Sequence, residues 1–453
     1  MEDQCVITRK ITVAAGVFAP GHLGELTQIV PFEMVDQALA ATGTTQARIR
    51  VLPSRVVVYL LLAGCLFAEL GYRQVWHKLT AGLGRLPVAR PSGNALWQAR
   101  ARLGAAPLRW LFDLLRGPAT AITAGSVRWH GLLVCAIDGT TMTVPDSPRN
   151  LAVYGRQAGS HGGSGYPLLR LVAVVACGTR TVIDAVFGPM SCGELDYARR
   201  LRRSLHAGMI VLLDRNFGAA ALIGQLAATE AHLLVRLKSN RKLPVLCRYA
   251  DGSCLSQIGA VRVRVVECEI TIATSAGRHT GAYRLATTLL DHRQHPAAAL
   301  ITLYHQRWEI ETAYLELKSS ILGSRVLRAR SPAGIAQEVY ALLTCYQILR
   351  IAITDAIEAA DGIDPDRGSF TIALNAARDL LTQAANVIAS TIIDLAGDIG
   401  RRVLDNLLPD RRLRVSPRIV KRAISKYQAR GPNVNRRSYK ATLDISILAA
   451  AGP

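Results

Sequence analysis

The spacing of apolar residues changes its period along the chain, and the changes predict distinct regions. Up to about residue 120 the text reads as short helices. "LTQIVPFEMVDQALAATG", "SRVVVYLLLAGCLFAELG" and "YRQVWHKLTAGLG" each close on a glycine suited to a helix C-terminus. "PSGNALWQARARLG" follows, with Ser92 or Asn94 placed to cap a helix and Arg100 and Arg102 expected to point outward. From about 130 the pattern turns to strands. "LLVCAI" at 132–137 is a continuous apolar run, as in a strand buried on both faces, and it stops at Asp138 and Gly139. "LLRLVAVVAC" at 168–177 and "TVIDAVFGP" at 181–189, joined through Gly178, Thr179 and Arg180, predict a hairpin. A helix is expected over about 193–206, then a buried strand "MIVLL" at 209–213 that ends at Asp214, a helix "GAALIGQLAAT" and a strand "HLLVRL".

That order places an acid at the C-terminal end of the first and fourth strands, where active sites of open sheets gather. Residues 238 to about 290 break the alternation. "AVRVRVVECEITIATSAG" alternates polar and apolar positions, the sign of a half-exposed antiparallel sheet, and reads as a β insertion. After Pro296 the pattern is helical through 321 and largely helical to about 395. The fold class is α/β: a mixed-sheet core interrupted by a β-strand insertion, with a helical N-terminal domain and a helical, basic C-terminal region. The expected divisions are 1–120 helical, 121–237 first part of the core, 238–290 insertion, 291–360 second part of the core, and 361–453 C-terminal.

Within the helical stretch "YHQRWEIETAYLELK" at 304–318, successive residues turn by about 100°. On one continuous helix Tyr304, Arg307, Glu311 and Lys318 share a face, beside an apolar stripe of Ile310, Ala313, Leu317 and Ile321 that can dock on the sheet. Glu309 and Glu316 fall on the far side and are expected to be solvated. Taken alone, Arg307 and Glu311 have the spacing of an ordinary surface ion pair, worth only a few tenths of a kcal/mol.

Composition then narrows the partner. Lys plus Arg number 54 against 33 Asp plus Glu, a formal charge of +21, which predicts attraction to polyanions and nucleic acid first among them. Residues 401–440 hold thirteen Lys or Arg against Asp405 and Asp410, so 13 − 2 = +11 of that excess lies in one stretch, expected to touch DNA or to serve as a solubilising tail. Nine cysteines contain no C-x-x-C pair and read as reduced core thiols. The apolar run at 56–68 is shorter than the roughly 20 residues of a membrane span, and "MEDQCVITRK" has no apolar leader core, so a cytoplasmic, nucleoid-associated protein is expected. The glycine-rich "RQAGSHGGSGYP" at 156–167 is not a phosphate loop, because G-x-x-x-x-G-K-[ST] is absent; it is either a DNA-facing loop or a connector, and His161 in it is incidental.

Asp138, Asp214 and Glu311, if brought together, would repel without a counterion and so imply bound cations. Oxygen-only ligands suit Mg²⁺ or Mn²⁺, and two such ions serve phosphoryl transfer. Asp146, Asp184, Glu194 and Asp196 lie near these residues in sequence and read as turn, cap or surface.

Tyr304, Arg307, Glu311 and Lys318 match the Y-x2-R-x3-E-x6-K spacing, "AIDGTTMTVPDSPRN" resembles a first-aspartate motif and "LLDRNF" a second. In these motifs the chain resembles the DDE transposases of bacterial insertion sequences, of the insertion-sequence-four type, over roughly residues 20 to 360. The resemblance implies a ribonuclease H-like core, two Mg²⁺ ions on Asp138, Asp214 and Glu311, and cut-and-paste transposition. It also implies phosphate contacts by Tyr304, Arg307 and Lys318, and a homodimer on paired terminal inverted repeats, with target DNA as the second substrate. Two alternatives stay open: a non-catalytic, domesticated DNA-binding protein, against which the intact triad argues, and a structure-selective nuclease on the same core, which gives no reason for the Tyr-Arg-Glu-Lys face.

Overall fold

A computed structural model of the chain describes residues 21–46, 48, 50–83, 88–118, 127–156, 165–275, 277–360, 362–384, 397–409, 414–415 and 439–448. Most of the glycine-rich stretch with His161, and all but a few residues of the basic 401–440 stretch beyond Leu408, lie outside them. Two compact units are formed, one from residues 1–204 and 307–408, the other from 205–306 and 409–453.

The first unit opens with five helices, α1 (Phe32–Ala41), α2 (Ser54–Leu66), α3 (Tyr72–Thr80), α4 (Gly93–Leu103) and α5 (Ala106–Leu115). All thirteen residues of α2 are buried, so this short apolar run is a core helix. Ser92 caps α4, its hydroxyl accepting from Ala95 N–H at 3.1 Å, and Gly104 at φ +66° ends it. Of the two arginines expected to point outward, Arg102 is exposed, but Arg100 lies 3.8 Å over the Tyr72 ring, because an aromatic face on α3 is within its reach.

Next come β1 (Arg128–Trp129), β2 (Leu132–Thr143), a short helix α6 (Pro148–Tyr154), β3 (Leu168–Ala176), β4 (Val182–Pro189) and α7 (Glu194–Arg200). β1 to β4 form an antiparallel array in sequence order. β2 does not stop at Asp138 as the apolar run suggested. It continues five residues to Thr143, because β3 supplies cross-strand partners from Ala173 to Leu168. Asp138 is therefore mid-strand, where alternation turns Asp138 and Thr140 to one face and Gly139 to the other.

The second unit holds β5 (Met209–Leu213), α8 (Ala220–Ala227), β6 (His232–Arg236), β7 (Cys247–Arg248), β8 (Cys254–Ile258), β9 (Val261–Thr274), β10 (Gly277–Thr287) and α9 (Ala297–Tyr304). β5 and β6 are parallel, β10 pairs antiparallel with β6 and β9, and the late strand Tyr439–Ile447 pairs with β9, so the sheet is mixed. One polar position of the alternating stretch faces inward: Arg264 is fully buried and donates to the His295 carbonyl.

The chain returns to the first unit with α10 (Trp308–Leu315), a π-helical segment Glu316–Ile321, α11 (Pro332–Glu358), α12 (Phe370–Gln383) and α13 (Asp398–Asp405). α11 is long and apolar enough to cross a membrane, yet 78% of its most apolar window is buried within the protein, as in a core helix. Of the eight cysteines among the described residues all are free thiols, six of them buried, while Cys192 is half-buried and Cys247 exposed.

The expected stripe is present, with Ile310, Ala313, Leu317 and Ile321 all buried. The expected solvation of Glu309 and Glu316 is overturned. They are 1% and 7% exposed, because α11 and the β3–β4 turn cover the flank assigned to water. Arg180 in that turn donates to Glu309 at 2.6 Å, Glu316 at 3.2 Å and Asp366 at 2.6 Å. Glu316 also accepts from Arg350 Nε and Tyr346 OH, each at 3.1 Å. Arg180 has φ +59°, a left-handed conformation uncommon outside glycine, and its three carboxylate partners hold it there. Burial raises the Asp366 carboxyl, a shift opposed by Arg180.

Removing one member of such a cluster leaves buried charge uncompensated. Glu316→Ala is expected to destabilise the protein by about 3–5 kcal/mol, whereas a surface glutamate would move it by no more than about 0.5 kcal/mol. The urea midpoint of the variant against wild type separates the two.

Candidate active site

Asp138 lies half-buried on β2, and its Oδ1 accepts from Gly139 N–H at 2.8 Å. Its Oδ2 accepts from Arg307 Nη1 at 3.3 Å, while Arg307 Nη2 donates to Glu311 Oε1 at 3.0 Å. One guanidinium thus joins the two carboxylates. The i, i+4 pair legible in the sequence exists, but it is one arm of a bridge whose other arm spans 169 residues of chain. The bridge is graded in exposure: the Arg307 side chain is 13% accessible, Asp138 20% and Glu311 40%. The cation is the most enclosed member, and the Glu311 carboxylate opens toward solvent.

Lys318 reaches the same strand, its Nζ donating to Thr140 Oγ1 at 3.1 Å. Because Asp138 and Thr140 share a face of β2, the segment from Arg307 to Lys318 lies along that face with both cations on it. Burial lowers the Lys318 pKa. The opposite face is occupied by a different acid. A Cβ built on Gly139 would come within 1.9 Å of Glu194 Oε1, so the end of the Glu194 side chain packs against this glycine, on the far side of the strand from Arg307 and Lys318.

Tyr314 was not singled out in the sequence. Its hydroxyl donates to the Asp138 carbonyl at 2.6 Å and accepts from Ala173 N–H at 3.1 Å, so it stands between two residues that are cross-strand partners. Burial first, then the Asp138 charge, holds its phenol well above the usual tyrosine range, so it remains a donor. The only sequence signal was a tyrosine three residues after Glu311, one helical turn along.

The second unit holds the other two predicted residues. Asp214 follows β5 and caps a 3₁₀ turn, its Oδ1 accepting from Asn216 N–H at 2.7 Å. Tyr304 is buried and its hydroxyl donates to the Leu213 carbonyl at 3.1 Å, immediately before Asp214. The expectation of one continuous helix face fails at this point. A 3₁₀ turn at His305–Arg307 separates Tyr304 from α10, and the π-helical segment begins at Glu316, so a constant 100° phase does not run from 304 to 318.

The neighbouring acids have partners of their own. Asp146 pairs with Arg156 at 2.5 Å, Asp196 with Arg199 at 2.5 Å, and buried Asp184 with Arg203 at 2.7 Å. Among the described residues no group of three or more His, Cys, Asp or Glu side chains is gathered as a metal cluster.

A strand aspartate and a helix glutamate joined by arginine, with a half-buried lysine on the same strand face, form one cluster of acids and cations. Comparison with known proteins supplies the class. Residues 20–113 match the model of the insertion element 4 transposase N-terminal region, and residues 129–348 match that of the transposase DDE domain. The chain is 27% identical over 408 residues to the transposase InsG for insertion sequence element IS4 of Escherichia coli (strain K12), covering 87% of this chain and 91% of that protein. Among solved structures it aligns with the piggyBac transposase synaptic complex with hairpin DNA, at 10% identity and a TM-score of 0.45 over 85% of each chain, a likeness too slight to bear on the argument. The chain belongs to the insertion-sequence-four type of DDE transposases.

Tyr314→Phe keeps the ring and removes only the hydroxyl between Asp138 and Ala173. It is expected to lower DNA cleavage at least about tenfold with little change in DNA affinity, since losing hydrogen bonds to two buried backbone groups costs about 1–3 kcal/mol where Asp138 is placed. Parallel cleavage and binding assays check this, and an equal loss in both would mean a general structural defect.

Proposed function

We propose that the protein cuts DNA at the ends of an insertion sequence and joins the freed ends to target DNA, using Mg²⁺ held by Asp138, Asp214 and Glu311. The observation that carries this reading is the Arg307 bridge between Asp138 and Glu311 inside the segment matched to the transposase DDE domain. The order of strands and helices from β2 to β6 supports a ribonuclease H-like core, with the divisions at about 120, 237, 290 and 360 expected from the sequence.

The donor set fits a hard divalent cation: Asp138 and Glu311 offer carboxylate oxygens alone, and each is already paired with positive charge in this arrangement. When bound, divalent ions activate the attacking oxygen and stabilise the leaving one. The chain's own residues do the rest. In the first step a water oxygen attacks phosphorus at the element's end, the P–O3′ bond breaks, and the 3′ oxygen leaves as a hydroxyl. In the second that hydroxyl attacks a target phosphorus and the target's own O3′ departs. Arg307 and Lys318 sit on the strand face of Asp138, where their charges suit backbone phosphates, and Tyr304 is assigned the same role in the second unit. The protein is further proposed to act as a homodimer on paired ends in the cytoplasm, at the nucleoid.

Asp138→Asn, Asp214→Asn and Glu311→Gln are each expected to lower Mg²⁺-dependent nicking of an end-containing duplex at least about a hundredfold, the scale of losing one group that stabilises transition-state charge. Wild-type cutting by all three would sink the assignment. Lys318→Ala is expected to weaken end binding and to reduce the log–log salt slope by about 0.9, read by titration at several salt concentrations.

A further inference from the structure

We propose that α4 is the helix with which this protein reads base sequence, laying Asn94, Gln98 and Arg102 into the major groove of its duplex DNA ends. The inference rests on the DNA-end-binding reading above and adds the element and the residues.

α4 has two unlike faces. Leu96, Ala99 and Leu103 are buried against the first unit, whereas Asn94, Trp97, Gln98 and Arg102 are exposed, Trp97 at 58%. Asn94, Gln98 and Arg102 follow one another at i, i+4 and i+8, a single row about 12 Å long at 1.5 Å per residue. That length spans about three base pairs, and the major groove is wide enough to admit a helix. The side-chain types suit base edges: Asn and Gln pair in two-pronged fashion with adenine, Arg does so with guanine, and an apolar ring beside them suits a thymine methyl. Among the described residues, none of these four side chains has a hydrogen bond, ion pair or ring contact within the protein.

The inner face is, by contrast, clamped. Arg100 stacks on Tyr72 at 3.8 Å, and Gln337 Nε2 on α11 donates to the carbonyls of Arg100 and Gly104 at 3.0 and 2.6 Å. A rigidly held helix with one unbonded polar row is what groove reading requires, since adjustable side chains must be presented from a fixed backbone. The electrostatics select the partner. Residues 70–112 contain seven Lys or Arg and no Asp or Glu, so no fixed negative charge from this stretch opposes the approach of a phosphate backbone. Arg73 on the neighbouring α3 is exposed and lies at the start of α4, its Cδ 3.8 Å from a Cβ built on Gly93, in position to contact phosphate beside the row.

The test measures binding of the full chain, without divalent metal, to a duplex carrying the element's terminal inverted repeat and to a scrambled duplex of the same composition. Asn94→Ala, Gln98→Ala and Arg102→Ala are each expected to reduce the preference for the repeat at least about fivefold, the scale of one good side-chain-to-base pair, with scrambled binding nearly unchanged for the two neutral residues. Because all three are exposed, their urea midpoints should match wild type. If wild type prefers the repeat and the variants keep that preference, the assignment of α4 is overturned while the transposase reading stands. Equal weakening on both duplexes overturns it too, leaving a helix that only tracks phosphates. A wild type with no preference for the repeat overturns both.

Discussion

Burial of Arg180 with Glu309, Glu316, Asp366 and Arg350 is the constraint on which the first unit's acidic site depends. A charge in the interior is tolerated only when it is paired and hydrogen-bonded, and here the pairing ties four otherwise separate pieces together. Arg180 comes from the β3–β4 turn, the two glutamates from the helical segment that carries Glu311, Arg350 from α11, and Asp366 from the connection between α11 and α12. The apolar stripe of Ile310, Ala313, Leu317 and Ile321 is non-directional and would permit the helix to roll. Guanidinium–carboxylate bonds are directional, so they fix the roll. With the roll fixed, Arg307 and Lys318 face β2 and Glu311 opens outward.

The strand side is set with similar economy. β2 alternates, so Asp138 and Thr140 meet the helix while Gly139 meets Glu194 on the other face. Tyr314 inserts its hydroxyl between the Asp138 carbonyl and the Ala173 amide, so the backbone that presents Asp138 is held by the same helix that presents Glu311. Both acids are therefore referenced to one rigid body within the first unit. Such coupling suits phosphoryl transfer, where small misplacement of reacting groups is costly.

Charge is distributed with a division of labour. Inside the first unit, Arg180, Arg350 and Arg307 are matched by acids, each with a carboxylate partner. Outside, in the stretch containing α3 and α4, cations stand without any acid in the sequence between residues 70 and 112. The first arrangement stabilises and orients. The second attracts a polyanion, and the large positive net charge of the chain has the same sense.

The sequence by itself determined which elements form. Period-two and period-3.6 patterns, glycine stops and the Ser92 cap are local properties, and β3, β4, β5, β6 and α4 appear where those signals place them. It also determined the candidate residues and the family, because both rest on spacing along the chain. Tertiary structure decided which side of each element meets water. The sequence could show that Glu309 and Glu316 lie away from the apolar stripe, but not that α11 and Arg180 cover that side. Nor could it show that β2 runs past Asp138, since that extension depends on hydrogen bonds from β3. The role of Tyr314 was hidden for the same reason: its partners are 176 and 141 residues away in sequence, and only folding makes them neighbours.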